Sequence, residues 1–178
     1  MMLIEARGRQ IYYAMFNEII RNGDFLFTSR TRRPPKGPLN ALISYGNTYL
    51  YHRVAAEIEK SSLDIRIGFL HSTNNRSQTL NLDIAELFKP LIVDRAIFTL
   101  VNKRMLDASE HFEDVEQGGV YLNREGKRIF INELDAKTYQ KQTQDNKPIS
   151  YETRIREEVS KLFRYVMYDE PYKPYKYY

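Results

Sequence analysis

Apolar residues recur at helical spacing along most of this chain, and that periodicity restricts it to a mainly α-helical fold. The longest stripe covers about twenty residues, and its opposite face carries tyrosine and charged side chains. The stripes predict an amphipathic helix over residues 3–20 and further helices over 39–58, 84–101, 134–142 and 151–166.

Two of the predicted helices have features that bear on their shape. In the first helix, Ile4, Ile11, Met15 and Ile19 lie along one apolar line. In the third, Pro90 removes a backbone donor and its ring clashes with the preceding turn. The chain is therefore expected to kink near Glu86 or to form two abutting helices there.

Several segments have no helical stripe. Residues 22–38 contain Pro, Gly and mostly cationic charged side chains, which predicts a basic loop. Residues 119–122 and 128–131 flank Asn123–Gly126, and this pattern predicts a small β-hairpin. Residues 169–178 are rich in Tyr, Pro and Lys, and we expect an extended or disordered tail. Ser150 precedes the last helical stripe and is the expected N-cap of that helix.

Composition narrows the class of protein. The 178 residues suit one domain, here residues 1–168, with a core of its own. Cysteine is absent, which excludes disulfides, thiolate-bound zinc, iron–sulfur clusters and thiol nucleophiles. No run approaches the roughly 18 apolar residues of a membrane span, and no secretory signal is visible, so we expect a cytoplasmic protein without membrane contact. The net charge of +4 is modest, so the distribution of Lys and Arg along the chain says more about a nucleic-acid partner than their sum does.

Asp83 and Glu86 are the sharpest candidates for a functional site. Two carboxylates at i and i+3 share one side of a helix, where one can bind a metal and the other can orient a ligand. The same spacing before an apolar run is also typical of a capping box, and both roles remain open. Glu5 and His71 are further candidates, although Glu5 has an ion-pair partner in Arg9 and His71 alone gives a weak signal.

A cluster of cations occupies the basic loop, at Arg30, Arg32, Arg33 and Lys36. Such a cluster can be a soluble surface, or it can neutralise several phosphates of a nucleic acid. The loop has no apolar face, which argues against a membrane surface. The sequence contains no Gly-rich phosphate loop, no His-Glu-x-x-His pair and no Gly-x-Ser-x-Gly turn.

Four sequence strings occur in a fixed order and are followed by the Gly-Gly-Val-Tyr-Leu segment. The strings are Leu3–Arg7 leading to Tyr12-Tyr13, Pro38–Gly46 leading to Leu50-Tyr51, Leu63-Asp64 leading to Ile67–His71, and Leu82–Pro90 leading to Val93–Arg95. In that order they resemble the C-terminal helical domain of the CRISPR-associated adaptation integrase, the endonuclease subunit that inserts new spacers. Nearly the whole chain is covered by the resemblance.

The resemblance implies a site and a reaction. Its metal ligands correspond to Glu5, His71 and Glu86, which would also be the catalytic residues, and Asp83 is an accessory carboxylate. The implied cofactor is Mg²⁺ or Mn²⁺. The implied activity is metal-dependent joining of spacer DNA 3′-hydroxyl ends to the repeat by transesterification. We further expect Arg30, Arg32, Arg33, Lys36, Arg76 and Lys89 to contact the DNA.

The resemblance also implies partners, which are double-stranded DNA, a small ferredoxin-like adaptation subunit and, in full-length members, a second copy of the same chain. The N-terminal β-rich domain of full-length members is missing from this sequence. Two alternatives remain, a non-catalytic nucleic-acid-binding or scaffolding module and a metal-dependent hydrolase of small phosphate esters. The second predicts a closed pocket in place of an open basic face.

Overall fold

The chain is mainly α-helical, as predicted. The computed structural model describes residues 2–70, 78–144 and 147–177, with side chains for all of them except 2–6, 117, 144 and 147. Within these ranges no helix has the length and apolar character needed to cross a membrane. The helices are α1 (Met2–Ala14), α2 (Phe16–Ile19), α3 (Pro38–Ile58), α4 (Leu80–Glu86), α5 (Arg95–Asn102), α6 (Arg124–Tyr139) and α7 (Tyr151–Tyr168).

The chain divides into two compact units. The first unit comprises residues 1–46 and 94–134, and the second comprises residues 47–93 and 135–178. Large apolar side chains fill each unit. The fully buried residues include Phe16, Phe25, Leu42, Ile97 and Phe130 in the first unit, and Leu50, Ile58, Phe88, Ile92 and Tyr151 in the second.

The first predicted helix is interrupted, and its apolar line does not face the core. α1 ends at Ala14 and α2 begins at Phe16. Ile11, Met15 and Ile19 are 59%, 56% and 46% exposed, whereas Phe16 is buried. The Phe16 ring packs edge-on against Phe98 with centroids 4.7 Å apart. This ring contact and the two hydrogen bonds between Asn17 and Phe27 orient the segment. The described residues of the apolar line lie on its exposed face.

Pro90 breaks the third predicted helix as expected. α4 ends at Glu86, a π-helical turn covers Pro90–Asp94, and α5 follows directly. The break arises because proline has no N–H with which to continue the helical hydrogen bonds. Glu86 is therefore the last residue of a short helix and does not lie inside a long one.

The predicted hairpin has one correct strand and one wrong partner. Strand β2 (Gly119–Leu122) pairs antiparallel with β1 (Phe112–Val115), and Val115 lies opposite Gly119. Residues 128–131 belong to α6, where Phe130 and Leu134 are buried four residues apart, a helical spacing. The helix predicted over 134–142 therefore begins ten residues earlier. A second hairpin of β3 (Lys141–Gln144) and β4 (Lys147–Ser150) was not predicted.

The cap of the last helix is confirmed. Ser150 Oγ accepts a hydrogen bond from the Thr153 N–H over 3.2 Å, which satisfies one of the free donors at the start of α7. We expect Ser150→Ala to lower the free energy of unfolding by about 1 kcal/mol. Urea denaturation measures this change. Ser160→Ala, at an exposed position of the same helix, is the control and should not destabilise the protein.

Candidate metal centre and its basic surroundings

The carboxylate of Asp83 holds the chain that leads to His71. Its Oδ2 accepts hydrogen bonds from the backbone N–H groups of Phe69 and Leu70, over 2.6 and 2.9 Å. Both donors lie thirteen or fourteen residues earlier in the sequence. An ionised carboxylate that accepts two N–H groups makes strong, charge-assisted bonds. Asp83 therefore fixes Phe69 and Leu70, the two residues directly before the predicted ligand His71 in the sequence.

Thr79 and Gly68 complete this turn. Thr79 Oγ1 accepts from the Gly68 N–H over 2.9 Å and donates to the Arg66 carbonyl over 2.7 Å. A Cβ at residue 68 would lie 2.8 Å from both Asp83 Oδ2 and Thr79 Oγ1. Such separations are shorter than van der Waals contact, so only glycine lets the chain approach the helix this closely.

The capping-box interpretation of Asp83 and Glu86 is wrong. α4 begins at Leu80 with Thr79 as its N-cap residue, so Asp83 lies inside the helix and not at its start. Its side chain instead accepts from Phe69 and Leu70. No local pattern indicates this role, because the two donors come from a different segment of the chain.

Glu86 is paired with Lys89. The Lys89 Nζ lies 2.6 Å from Glu86 Oε1, and the two side chains are 11% and 31% exposed. The same ammonium lies 5.0 Å from the centroid of the Tyr51 ring, within the range of a cation–π interaction. Glu86 thus keeps a solvent-accessible fraction, while Lys89 is largely enclosed by its carboxylate and aromatic partners. This enclosure limits how far Lys89 can act as the predicted DNA contact.

Glu5 is on α1, and its side chain lies outside the described residues, as do His71 and Arg76 entirely. α1 itself is anchored in the first unit, because Tyr12 donates its hydroxyl to Asp94 Oδ2 over 2.6 Å. Burial, together with the Asp94 charge, raises the pKa of Tyr12 well above its usual range, which keeps the donor protonated. Among the side chains that are described, no three Asp, Glu or His form a metal-binding group.

The basic loop divides into one structural cation and three exposed ones. The Arg30 guanidinium donates to Asn40 Oδ1 over 3.0 Å, to Ser44 Oγ over 2.9 Å and to the Thr31 carbonyl. It therefore ties the loop to α3. Side chains that remain exposed for a phosphate are those of Arg32, Arg33 and Lys36.

A second basic surface was not predicted from the sequence. An open groove of about 630 Å³ in the first unit is lined by Arg124, Lys127 and Arg128 of α6, with Tyr45 and Glu113 among the other lining residues. Arg128 is also paired with Glu125 over 2.5 Å. The assignment of residues 128–131 to a strand hid this surface, because only a helix brings residues 124, 127 and 128 onto one face.

The family model for the CRISPR associated protein Cas1 matches residues 1–136, three quarters of the chain. The chain belongs to the Cas1 family. The matched part of the chain includes α1, the turn at Gly68, and the Asp83–Glu86 segment.

Individual Cas1 proteins are similar over almost the whole chain. The CRISPR-associated endonuclease Cas1 2 of Thermodesulfovibrio yellowstonii is 45% identical over 179 residues, which cover 98% of this chain and 53% of that protein. The CRISPR-associated endonuclease Cas1 of Clostridium perfringens is 42% identical, covering 97% of this chain and 53% of its own length. The chain thus spans about half the length of these relatives.

Solved structures give the same assignment of the fold. A Cas1 protein of Thermotoga maritima superposes with a TM-score of 0.86 at 38% identity and covers 98% of this chain and 54% of its own. A casposase bound to an integration product superposes with a TM-score of 0.83 at 24% identity and covers 93% of this chain and 46% of its own. At that identity the casposase supports the fold alone. The helical domain predicted from the resemblance is therefore the Cas1 helical domain.

Proposed function

We propose that this chain is the helical part of a metal-dependent DNA endonuclease and integrase that joins DNA 3′-hydroxyl ends to a target by transesterification. The observation that carries the proposal is the pair of hydrogen bonds from Phe69 and Leu70 to Asp83. They tie the segment entering His71 to the helix that ends at Glu86. Relatives named as endonucleases, at 45% and 42% identity, support a nucleic-acid substrate.

Glu5, His71 and Glu86 would hold the metal ion. Two carboxylates and one imidazole suit Mn²⁺ or Mg²⁺, and the partly exposed Glu86 side chain can be reached from solvent. When bound, the ion would supply Lewis-acid activation of the phosphodiester. Lys89 must then share or release the Glu86 carboxylate, since the Lys89 ammonium and the metal ion would both bind to it.

The protein residues have roles of their own in this reaction. Asp83 holds Phe69 and Leu70, the two residues that precede the proposed ligand His71 in the sequence. Exchange of one phosphodiester for another needs neither ATP nor a covalent enzyme intermediate. The reaction is consequently reversible, and a branched DNA that mimics its product should be resolved by the same residues.

The exposed cations of the basic loop are proposed to position the DNA backbone. We expect the double variant Arg32→Ala with Arg33→Ala to reduce the slope of log K against log salt by about 1.8, at about 0.9 for each phosphate contact. Fluorescence anisotropy of labelled duplex at several salt concentrations measures the slope. Lys60→Ala is the control, because Glu57 already neutralises that ammonium over 2.5 Å. An unchanged slope in the double variant would exclude these arginines from the interface.

We also propose the partners that the resemblance implies. These are double-stranded DNA, a small ferredoxin-like adaptation subunit and a second copy of the full-length chain, in the cytoplasm. The groove lined by Arg124, Lys127 and Arg128 offers a second place for backbone phosphates. A non-catalytic DNA-binding module is the competing function. The observation that favours it is the ion pair of Glu86 with Lys89, because this pair already occupies a carboxylate oxygen that a metal ion would need.

Resolution of branched DNA tests the proposed function. The substrate carries a labelled strand with a free 3′-hydroxyl next to the branch, and a matched substrate ends in a 3′-deoxy nucleotide. We expect Mn²⁺-dependent release of the branch and rejoining of the target strand with the first substrate and no rejoining with the second. Binding without any rejoining, at saturating DNA and millimolar Mn²⁺, would support the module instead.

A further inference from the structure

The Tyr-rich segment after α7 packs within the second unit, although it has no regular secondary structure. Its anchor is Glu158, which is 1% exposed. Glu158 Oε2 accepts from the Tyr172 hydroxyl over 2.8 Å, and Oε1 accepts from the Tyr175 N–H over 2.7 Å. Lys161 donates to the same carboxylate. A buried carboxylate needs such partners, so the segment is held at two defined points.

The same segment covers a residue next to Glu86. The ring of Tyr175 is stacked on Phe88, with centroids 5.8 Å apart and planes 8° from parallel. The Arg154 guanidinium also lies over the Tyr175 ring, 5.5 Å from the ring centroid. Phe88 is fully buried and occupies the break between α4 and the π-helical turn. It lies two residues after Glu86 and directly before Lys89.

We propose that residues 171–177 form a positioning strap that fixes the Glu86 carboxylate through the Tyr175–Phe88 stack. The significance of Glu86 in this proposal rests on the proposed function. α4 has only seven residues, and it ends at Glu86. Pro90 removes a backbone donor just beyond it. Beyond Glu86 the N–H groups of Leu87 and Phe88 bond to carbonyls only three residues earlier, and packing of Phe88 adds to these bonds in holding the helix end.

The predicted effect is local. Loss of the Tyr175 ring removes the stacked partner of Phe88, which lies directly after the end of α4. Tyr175→Phe keeps both the ring and the N–H that donates to Glu158, so it should show the same hydrogen exchange as the wild type. Tyr168→Ala is a matched control, since that ring is 66% exposed and its described ring contact is with Phe163.

Hydrogen exchange of the full chain, without metal or DNA, tests the strap. In Tyr175→Ala we expect the backbone amides of residues 87–89, 91 and 92 to exchange about tenfold faster, with unchanged exchange in α3 and in Tyr175→Phe. Unchanged exchange at these five amides, an equal increase throughout the second unit, or a Tyr175→Phe variant that behaves like alanine would each overturn the proposal. Should Tyr175→Ala not fold, Tyr175→Leu removes the flat ring and is read by the same criteria.

The branched-DNA reaction tests the link to Glu86. Below the melting temperature of both proteins, Tyr175→Ala should need about tenfold more Mn²⁺ for half-maximal rate than the wild type. Tyr168→Ala should need the same concentration as the wild type. Faster exchange with an unchanged Mn²⁺ requirement would overturn the positioning role. A wild type without activity would instead contradict the proposed function, and the exchange measurement would still decide whether the strap exists.

Discussion

We expect Glu86→Ala to abolish Mn²⁺-dependent resolution of branched DNA while the protein remains folded. The variant removes one of three proposed ligands, and it also leaves the ammonium of Lys89 without the carboxylate that lies 2.6 Å from it. A positive charge that is now unpaired repels an incoming cation, so the loss exceeds that of a ligand alone. Stability should fall by about 1–3 kcal/mol, because a partly enclosed charge loses its partner.

A rate assay and a denaturation curve measured on the same preparation separate chemistry from folding. Glu86→Gln has almost the same shape as the wild-type residue and should be equally inactive, since an amide is a poor ligand and carries no charge. Glu59→Ala, an exposed carboxylate on the same unit, is the matched control and should retain the wild-type rate. Wild-type rates in either Glu86 variant would remove this residue from the site.

Asp83→Ala is expected to lower the same rate by about 10–100-fold. The change leaves the N–H groups of Phe69 and Leu70 without the acceptor that now lies 2.6 and 2.9 Å away. Phe69 and Leu70, which directly precede the proposed ligand His71 in the sequence, are then released from α4. The free energy of unfolding should fall by about 1–3 kcal/mol, because two backbone donors lose their acceptor.

The rate, and the hydrogen exchange of the Phe69 and Leu70 amides, are measured together. Both amides should exchange faster in Asp83→Ala. Asp64→Ala serves as the control, because its carboxylate pairs with the exposed Arg66 in the preceding turn. Released amides with an undiminished rate would show that the turn does not position a catalytic group.

The helices that could be predicted are those whose signals are local. α3 follows from one unbroken apolar stripe, the break after Glu86 follows from Pro90, and the start of α7 follows from Ser150. Each depends on residues within a turn or two of one another. The β3–β4 hairpin was missed because its strands are four residues long and mostly polar, without the apolar alternation that marks a half-buried strand.

The features that could not be predicted depend on distant segments. Asp83 matches a capping pattern in the sequence, and only the fold reveals that its acceptor oxygen serves Phe69 and Leu70. Lys89 resembles a surface cation until Tyr51 and Glu86 are found around it. The composition of the Tyr-rich segment predicts an extended or disordered tail. Its packing could not be predicted, because the acceptor for Tyr172 and Tyr175 is the buried Glu158, which lies more than a dozen residues earlier.

Family resemblance supplied the ligand set, and residue patterns alone did not. Glu5 and Arg9 fit an ordinary ion pair, and a single histidine at a loop boundary has many roles. Their use as ligands depends on the ordered strings that resemble the Cas1 family, to which the chain belongs. The assignment of Glu5, His71 and Glu86 to one metal ion therefore remains a prediction about side chains far apart in sequence.

A thermal melt of the full chain across a Mn²⁺ titration tests that assignment most directly. Metal that binds only the folded state should stabilise the wild type by about 2.7 kcal/mol at a concentration 100 times the dissociation constant, and should raise the melting temperature accordingly. Glu5→Ala, His71→Ala and Glu86→Ala should each lose this shift. A wild type without any shift at millimolar Mn²⁺, or a full shift in all three variants, would contradict a shared metal site.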